Sequence, residues 1–140
     1  MNSSYVVGID VGGQTSKIGV VDARGTVLAR TVIRTDTYDT VEPYIAELAE
    51  AVKKVIAEAG AEGKIRGIGV GAPNGNYYTG TIEAAPNLAW GHNRVEFAKL
   101  LSEAMGGLPV ALTNDANAAA VGEMTYGAAR GMKNFIMITL

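Results

Sequence analysis

The chain has 140 residues, 12 basic against 14 acidic side chains, and no cysteine, which is enough for one domain with a core of its own. Its near-even charge and lack of any Lys/Arg run exclude a surface that tracks a phosphodiester backbone, so no nucleic-acid partner is expected. No apolar stretch approaches the roughly 20 residues a membrane helix needs, Met1-Asn2-Ser3-Ser4 has no export signature, and the missing thiols exclude disulfides, thiol catalysis and cysteine-ligated zinc; a cytoplasmic protein with no membrane partner is expected.

Three extended runs come first, Tyr5 to Asp10, Lys17 to Asp22 and Val27 to Ile33, the last two joined by Ala23-Arg24-Gly25-Thr26. They read as an antiparallel meander. A helix follows, with Asp39 or Thr40 as N-cap, Val41, Tyr44, Ile45, Leu48, Val52, Val55 and Ile56 on one stripe, and Gly60 as its stop. Glu42, Glu47, Glu50, Lys53 and Lys54 fall off that stripe and read as a solvated face. Ile65 to Ala72 is a glycine-spaced strand that, after a crossover helix, should lie parallel to the first.

Next, Pro73-Asn74-Gly75-Asn76 and Thr79-Gly80 are turn signals around a short hairpin, which Tyr77 and Tyr78 are expected to cover. A second helix is expected from about Arg94 to Met105, ended by Gly106-Gly107, then a short strand from Pro109 to Thr113 and an alanine-rich helix from Asp115 to about Tyr126. The order is βββαβαβα: an α/β domain with a mixed five-stranded sheet flanked by helices. Phe135 to Leu140 is a strand-like apolar hexamer with no cap, turn or polar tail after it. It is expected to be the first strand of a truncated C-terminal lobe, with residues 1–134 forming the N-terminal one. Unpaired, it also invites self-association.

Two segments carry chemistry. In Ile9-Asp10-Val11-Gly12-Gly13-Gln14-Thr15-Ser16-Lys17 an acid ends an apolar strand and a double glycine follows. Gly12 and Gly13 can take positive φ and bring bare N–H groups to a phosphate, beside the polar heads of Gln14, Thr15 and Lys17. Asp10 then stands where a magnesium-bound polyphosphate needs an oxygen ligand, directly or through water. An ordinary Gly-Gly hairpin has the same pattern. The other segment is Leu112-Thr113-Asn114-Asp115-Ala116-Asn117, where Asn114 ends a strand and Asp115 opens a helix. Helix caps favour these residues. A carboxylate kept ionised by the helix dipole also suits a base that accepts a hydroxyl proton, and Asn offers a donor and an acceptor to neighbouring hydroxyls.

With these segments in this order, the whole chain resembles the N-terminal lobe of ROK-family sugar kinases, glucokinase-like members above all, within the ribonuclease-H-like fold of actin-like ATPases. The resemblance rests on Ile9-Asp10-Val11-Gly12-Gly13, Gly71-Ala72-Pro73-Asn74-Gly75, Pro86-Asn87-Leu88-Ala89-Trp90 and Asn114-Asp115-Ala116-Asn117-Ala118-Ala119-Ala120-Val121-Gly122-Glu123. It implies ATP-dependent phosphorylation of a hexose, glucose at its 6-hydroxyl, with Mg2+ and in carbohydrate metabolism such as glycolysis. Asp115 becomes the catalytic base. Gly75, Asn87, Asn114 and Asp115 hold the sugar, and Asp10 meets magnesium. Gly12, Gly13, Gln14, Thr15 and Lys17 face the phosphates. The partners are hexose and ATP, in a homo-oligomer.

Gln14 departs from the threonine usual at that place in the family. A second glycine-rich phosphate loop, a zinc-binding Cys/His segment and the adenosine pocket, which the family carries further along, lie outside these residues, so the lobe alone is expected to be inactive. His92, the only histidine, matches no metal motif and reads as a surface residue. Trp90 reads as a core or hinge anchor more readily than a sugar platform. The alternatives are a sugar-sensing ROK regulator, disfavoured because the chain starts four residues before its first strand, and a non-sugar actin-like ATPase, disfavoured by the Asn114-Asp115 pair.

Overall fold

The computed structural model describes residues 5–76, 78–86 and 88–113. Strands β1 (Tyr5–Val11), β2 (Thr15–Val21) and β3 (Val27–Arg34) form the expected meander, followed by helix α1 (Val41–Glu58) and strand β4 (Ile65–Gly71). A two-residue pair, β5 (Gly75–Asn76) and β6 (Thr81–Ile82), precedes helix α2 (Phe97–Ala104) and strand β7 (Val110–Thr113). The main sheet has the order β3-β2-β1-β4-β7, with β1 antiparallel to β2 and β4 parallel to both β1 and β7. The helix predicted over Asp115 to Tyr126 and the strand over Phe135 to Leu140 lie outside the described residues.

Strand alternation divides the sheet into two faces. Val7, Ile9, Val11, Ile18, Val20, Ile68, Val70 and Leu112 point to one of them and are buried there. α1 crosses that face over β2 and β3, beside α2, and buries Tyr44, Ile45, Leu48, Ala49, Val52, Val55 and Ile56. Each such aliphatic side chain contributes about 1.5–3 kcal/mol. Both helices stop by the same device. The N–H of Ala61 reaches back to the Ile56 carbonyl and that of Gly60 to Ala57; Gly107 and Gly106 do the same to Ser102 and Glu103. That closure needs a left-handed residue after the cap, and Gly60 (φ 68°) and Gly106 (φ 73°) supply it.

Local patterning missed in a few places. Residues Arg94 to Glu96 are not helical, because Val95 forms a β-bridge with Ile82, so α2 starts three residues later than predicted. Glu47 is half-buried, not solvated, and accepts a hydrogen bond from the Tyr38 hydroxyl at 2.7 Å. Tyr78 is 92% exposed in the hairpin loop, turned to solvent instead of covering it; Tyr77 lies outside the described residues. Trp90 is a core anchor, as read, with its ring stacked on Tyr44 at 4.6 Å and on Phe97 at 5.9 Å. His92 is exposed.

Candidate functional site

The parallel strands align their carboxyl ends. Asp10 of β1 pairs with Gly71 of β4, which pairs with Thr113 of β7, and Lys17 of β2 stands opposite Asp10 on the other side. At about 4.8 Å per strand this row places Thr113 roughly 10 Å from Asp10. Asn114 and Asp115 follow Thr113 directly in sequence and lie outside the described residues. In open α/β sheets the carboxyl ends of parallel strands, where strand order reverses about the first strand, are where ligands bind.

The hairpin between β1 and β2 is built tightly. The Gly12 N–H donates to the Thr15 carbonyl at 2.9 Å, so it is committed to the turn and not bare, as the sequence reading had it. Gly12 and Gly13 are also absent from the positive-φ glycines of the described residues. Gly12 is required instead for close approach, since a Cβ there would meet the Thr15 carbonyl oxygen at 2.9 Å. Among the described residues nothing accepts from the Gly13 or Gln14 N–H, and these two remain as donors for an anion. Gln14 is exposed and Thr15 half-buried.

Asp10 is half-buried and Lys17 exposed. Although they are cross-strand neighbours, their side chains form no ion pair, and neither side chain has a hydrogen bond to any described residue. A partly sheltered carboxylate without a partner is unusual, because burial is normally compensated by a hydrogen bond or counter-charge. Its chemistry fits a hard divalent cation. No group of three or more His, Cys, Asp or Glu is gathered among the described residues. Beside Lys17 a groove of about 240 Å3 opens between Lys17, Arg30 and Val32.

Two closed loops follow β4. Gly75 passes directly against the end of β7: a Cβ there would lie 2.5 Å from the Thr113 carbonyl oxygen. Its N–H already donates to Ala72 at 3.1 Å. Asn74, read from sequence only as part of a turn, takes a left-handed φ of 57° and its Nδ2 donates to the carbonyls of Glu83 and Ala84. Residues 85–91 close on themselves through Ala85 N–H to Gly91, Leu88 N–H to Ala85 and Gly91 N–H to Leu88. Asn87, within that loop, is outside the described residues. A larger groove, about 540 Å3, is lined by Lys53, Ile56, Glu62, Ile65, Met105 and Leu108. It sits at the amino ends of β4 and β7, away from Asp10.

A mixed five-stranded sheet of this order flanked by helices is a ribonuclease-H-like lobe of the actin-like ATPase fold. The chain belongs to the ROK family, whose model matches residues 6–140. It is 41% identical to a glucokinase of Streptomyces coelicolor over 96% of its own length and 40% of that protein's. Among solved structures it resembles a ROK hexokinase from Thermus thermophilus (35% identity, TM-score 0.70, 88% of this chain and 38% of that one). It also resembles a ROK family glucokinase from Streptomyces griseus solved with glucose and AMPPNP (32% identity, TM-score 0.63, 91% and 38%). The chain thus spans about 40% of the length of the curated relatives named here.

Proposed function

We propose that this chain is the N-terminal lobe of an ATP-dependent hexose kinase, acting on the 6-hydroxyl of glucose. The observation that carries the reading is the shared row Asp10, Gly71, Thr113 at one sheet edge, from which the phosphate hairpin and the segment opening Asn114-Asp115 both leave. Phosphoryl transfer passes through a loose, charge-spread transition state, so catalysis is mostly positioning and charge neutralisation. The Gly13 and Gln14 amides, Thr15 and Lys17 hold phosphate oxygens. Asp10 holds Mg2+, which neutralises charge on the phosphates when bound.

In this reading Asp115 takes the proton from the attacking hydroxyl and needs no raised pKa to do so. Asn87 and Asn114 orient sugar hydroxyls, while Gly75, whose lack of a side chain lets its loop pack against Thr113, brings backbone up to them. Residues 135–140 begin the second lobe. Similarity to glucokinases across nearly the full length of this chain supports the assignment. The test is ADP release by the complete protein with ATP, Mg2+ and a panel of hexoses. Hexose-dependent release that is greatest with glucose is expected. Sugar binding without any release would place the protein among sensors instead.

A further inference from the structure

We propose that Ser16, Thr35 and Tyr44 form a buried hydroxyl brace that sets the position of the β1–β2 hairpin, making them positioning residues for nucleotide binding that never touch the nucleotide. The proposal rests on the kinase reading above and adds residues to it.

On β2 the side chains alternate, Thr15 and Lys17 on the outer face and Ser16 between them on the core face, in line with Ile18 and Val20. Ser16 is fully buried, as is Thr35. An apolar residue would suit that place, and an unpaired hydroxyl there costs about 1–3 kcal/mol. Ser16 has two partners instead. Its Oγ lies 2.6 Å from Thr35 Oγ1 and 2.6 Å from the Tyr44 hydroxyl, one hydrogen bond in each pair.

The three residues come from different elements that meet under the hairpin. Ser16 pairs with Val11 immediately below the turn. Thr35 follows the last residue of β3, and its backbone N–H donates to the Gln14 carbonyl at 2.8 Å, so the residue that bonds to the Ser16 hydroxyl also holds the turn. Tyr44 lies in the first turns of α1 with its ring fixed against Trp90. The Gly13 and Gln14 amides are thereby held relative to the helix and core. Supporting groups of this kind matter because a site must be held within about 0.5 Å of its productive geometry, and losing groups that orient metal ligands costs about 10–100-fold.

Removing a hydroxyl while keeping the shape tests the idea. In the complete protein, Thr35→Val and Tyr44→Phe should weaken ATP binding about tenfold by calorimetry and leave the hexose Kd within about twofold; Thr35→Ser, which keeps the hydroxyl, should restore ATP affinity. Hydrogen exchange at the Gly12 and Thr35 amides, whose bonds to Thr15 and Gln14 hold the turn, should quicken in both variants relative to the central strands. A purely structural role predicts lower thermal stability with an unchanged ATP Kd in the folded protein and unchanged exchange at the two amides; that result overturns the proposal while leaving the kinase reading intact. If the unaltered protein binds no nucleotide, the kinase reading fails first and takes the proposal with it.

Discussion

The two sides of the β1–β2 hairpin treat polar groups in opposite ways. On the core side Ser16 bonds to two neighbours, and Thr35 uses both its hydroxyl and its amide. On the outer side Asp10 and Lys17 stand opposite one another and their side chains pair with nothing among the described residues. A polar group satisfied inside the fold holds the fold, whereas under the proposed function the charges on the outer side serve a ligand. The contrast turns on a single residue of spacing, since adjacent strand positions face opposite ways.

The largest effect should come from the outer side. Asp10→Asn in the complete protein is expected to lower kcat by roughly 10²–10³, the scale of losing one group that stabilises transition-state charge, while urea denaturation shows a stability change within about 0.5 kcal/mol. A large stability loss would mean that Asp10 belongs to the fold after all. Ser16→Ala should lose stability as well as ATP affinity. It leaves the Thr35 and Tyr44 hydroxyls buried without their shared partner, and should cost about 1–3 kcal/mol of unfolding free energy.

Alkaline titration sharpens the core side. Burial pushes the Tyr44 hydroxyl well above its ordinary value of 10, against the lowering effect of the Ser16 and Thr35 hydrogen bonds. The folded state therefore keeps a proton that the unfolded chain releases. This contribution is complete below pH 10 and lost as pH rises above it, with a limiting slope of about 1.4 kcal/mol per unit. Tyr44→Phe should flatten that part of the stability–pH curve. The smallest effect is expected at Trp90, whose indole N–H is buried with no acceptor among the described residues. Phenylalanine removes that unsatisfied donor, and the relief offsets part of the lost packing, so Trp90→Phe should cost less than about 1.5 kcal/mol by denaturation, below the usual range for truncating a core aromatic.

Strands β1 to β4 were legible as short apolar runs bounded by turn residues, and helix α1 by its apolar stripe at helical spacing. The start of α2 was not, because Val95 answers to Ile82, thirteen positions away, and local periodicity contains no sign of that bridge. The double glycine was legible as a turn but not in its physics: Gly12 serves close approach to Thr15, not a left-handed backbone. Ser16 was passed over although a signal existed, a polar residue on the inward phase of a strand whose next inward positions are Ile18 and Val20. Its partners are distant in sequence, so the brace itself could be read only from coordinates. The hairpin and the Gly75 loop were legible as motifs, and the use of their amides was not.

Coupling between Asp10 and Asp115 tests the central claim most directly, that both open into one groove at the carboxyl edge of the sheet. Hexose-dependent ADP release is measured for the complete protein carrying Asp10→Asn, Asp115→Asn and both. Groups that serve one transition state are strongly non-additive, so the double variant is expected to lose little more than the worse single variant. Losses that simply multiply, or a wild-type rate in either single variant, would contradict a shared groove.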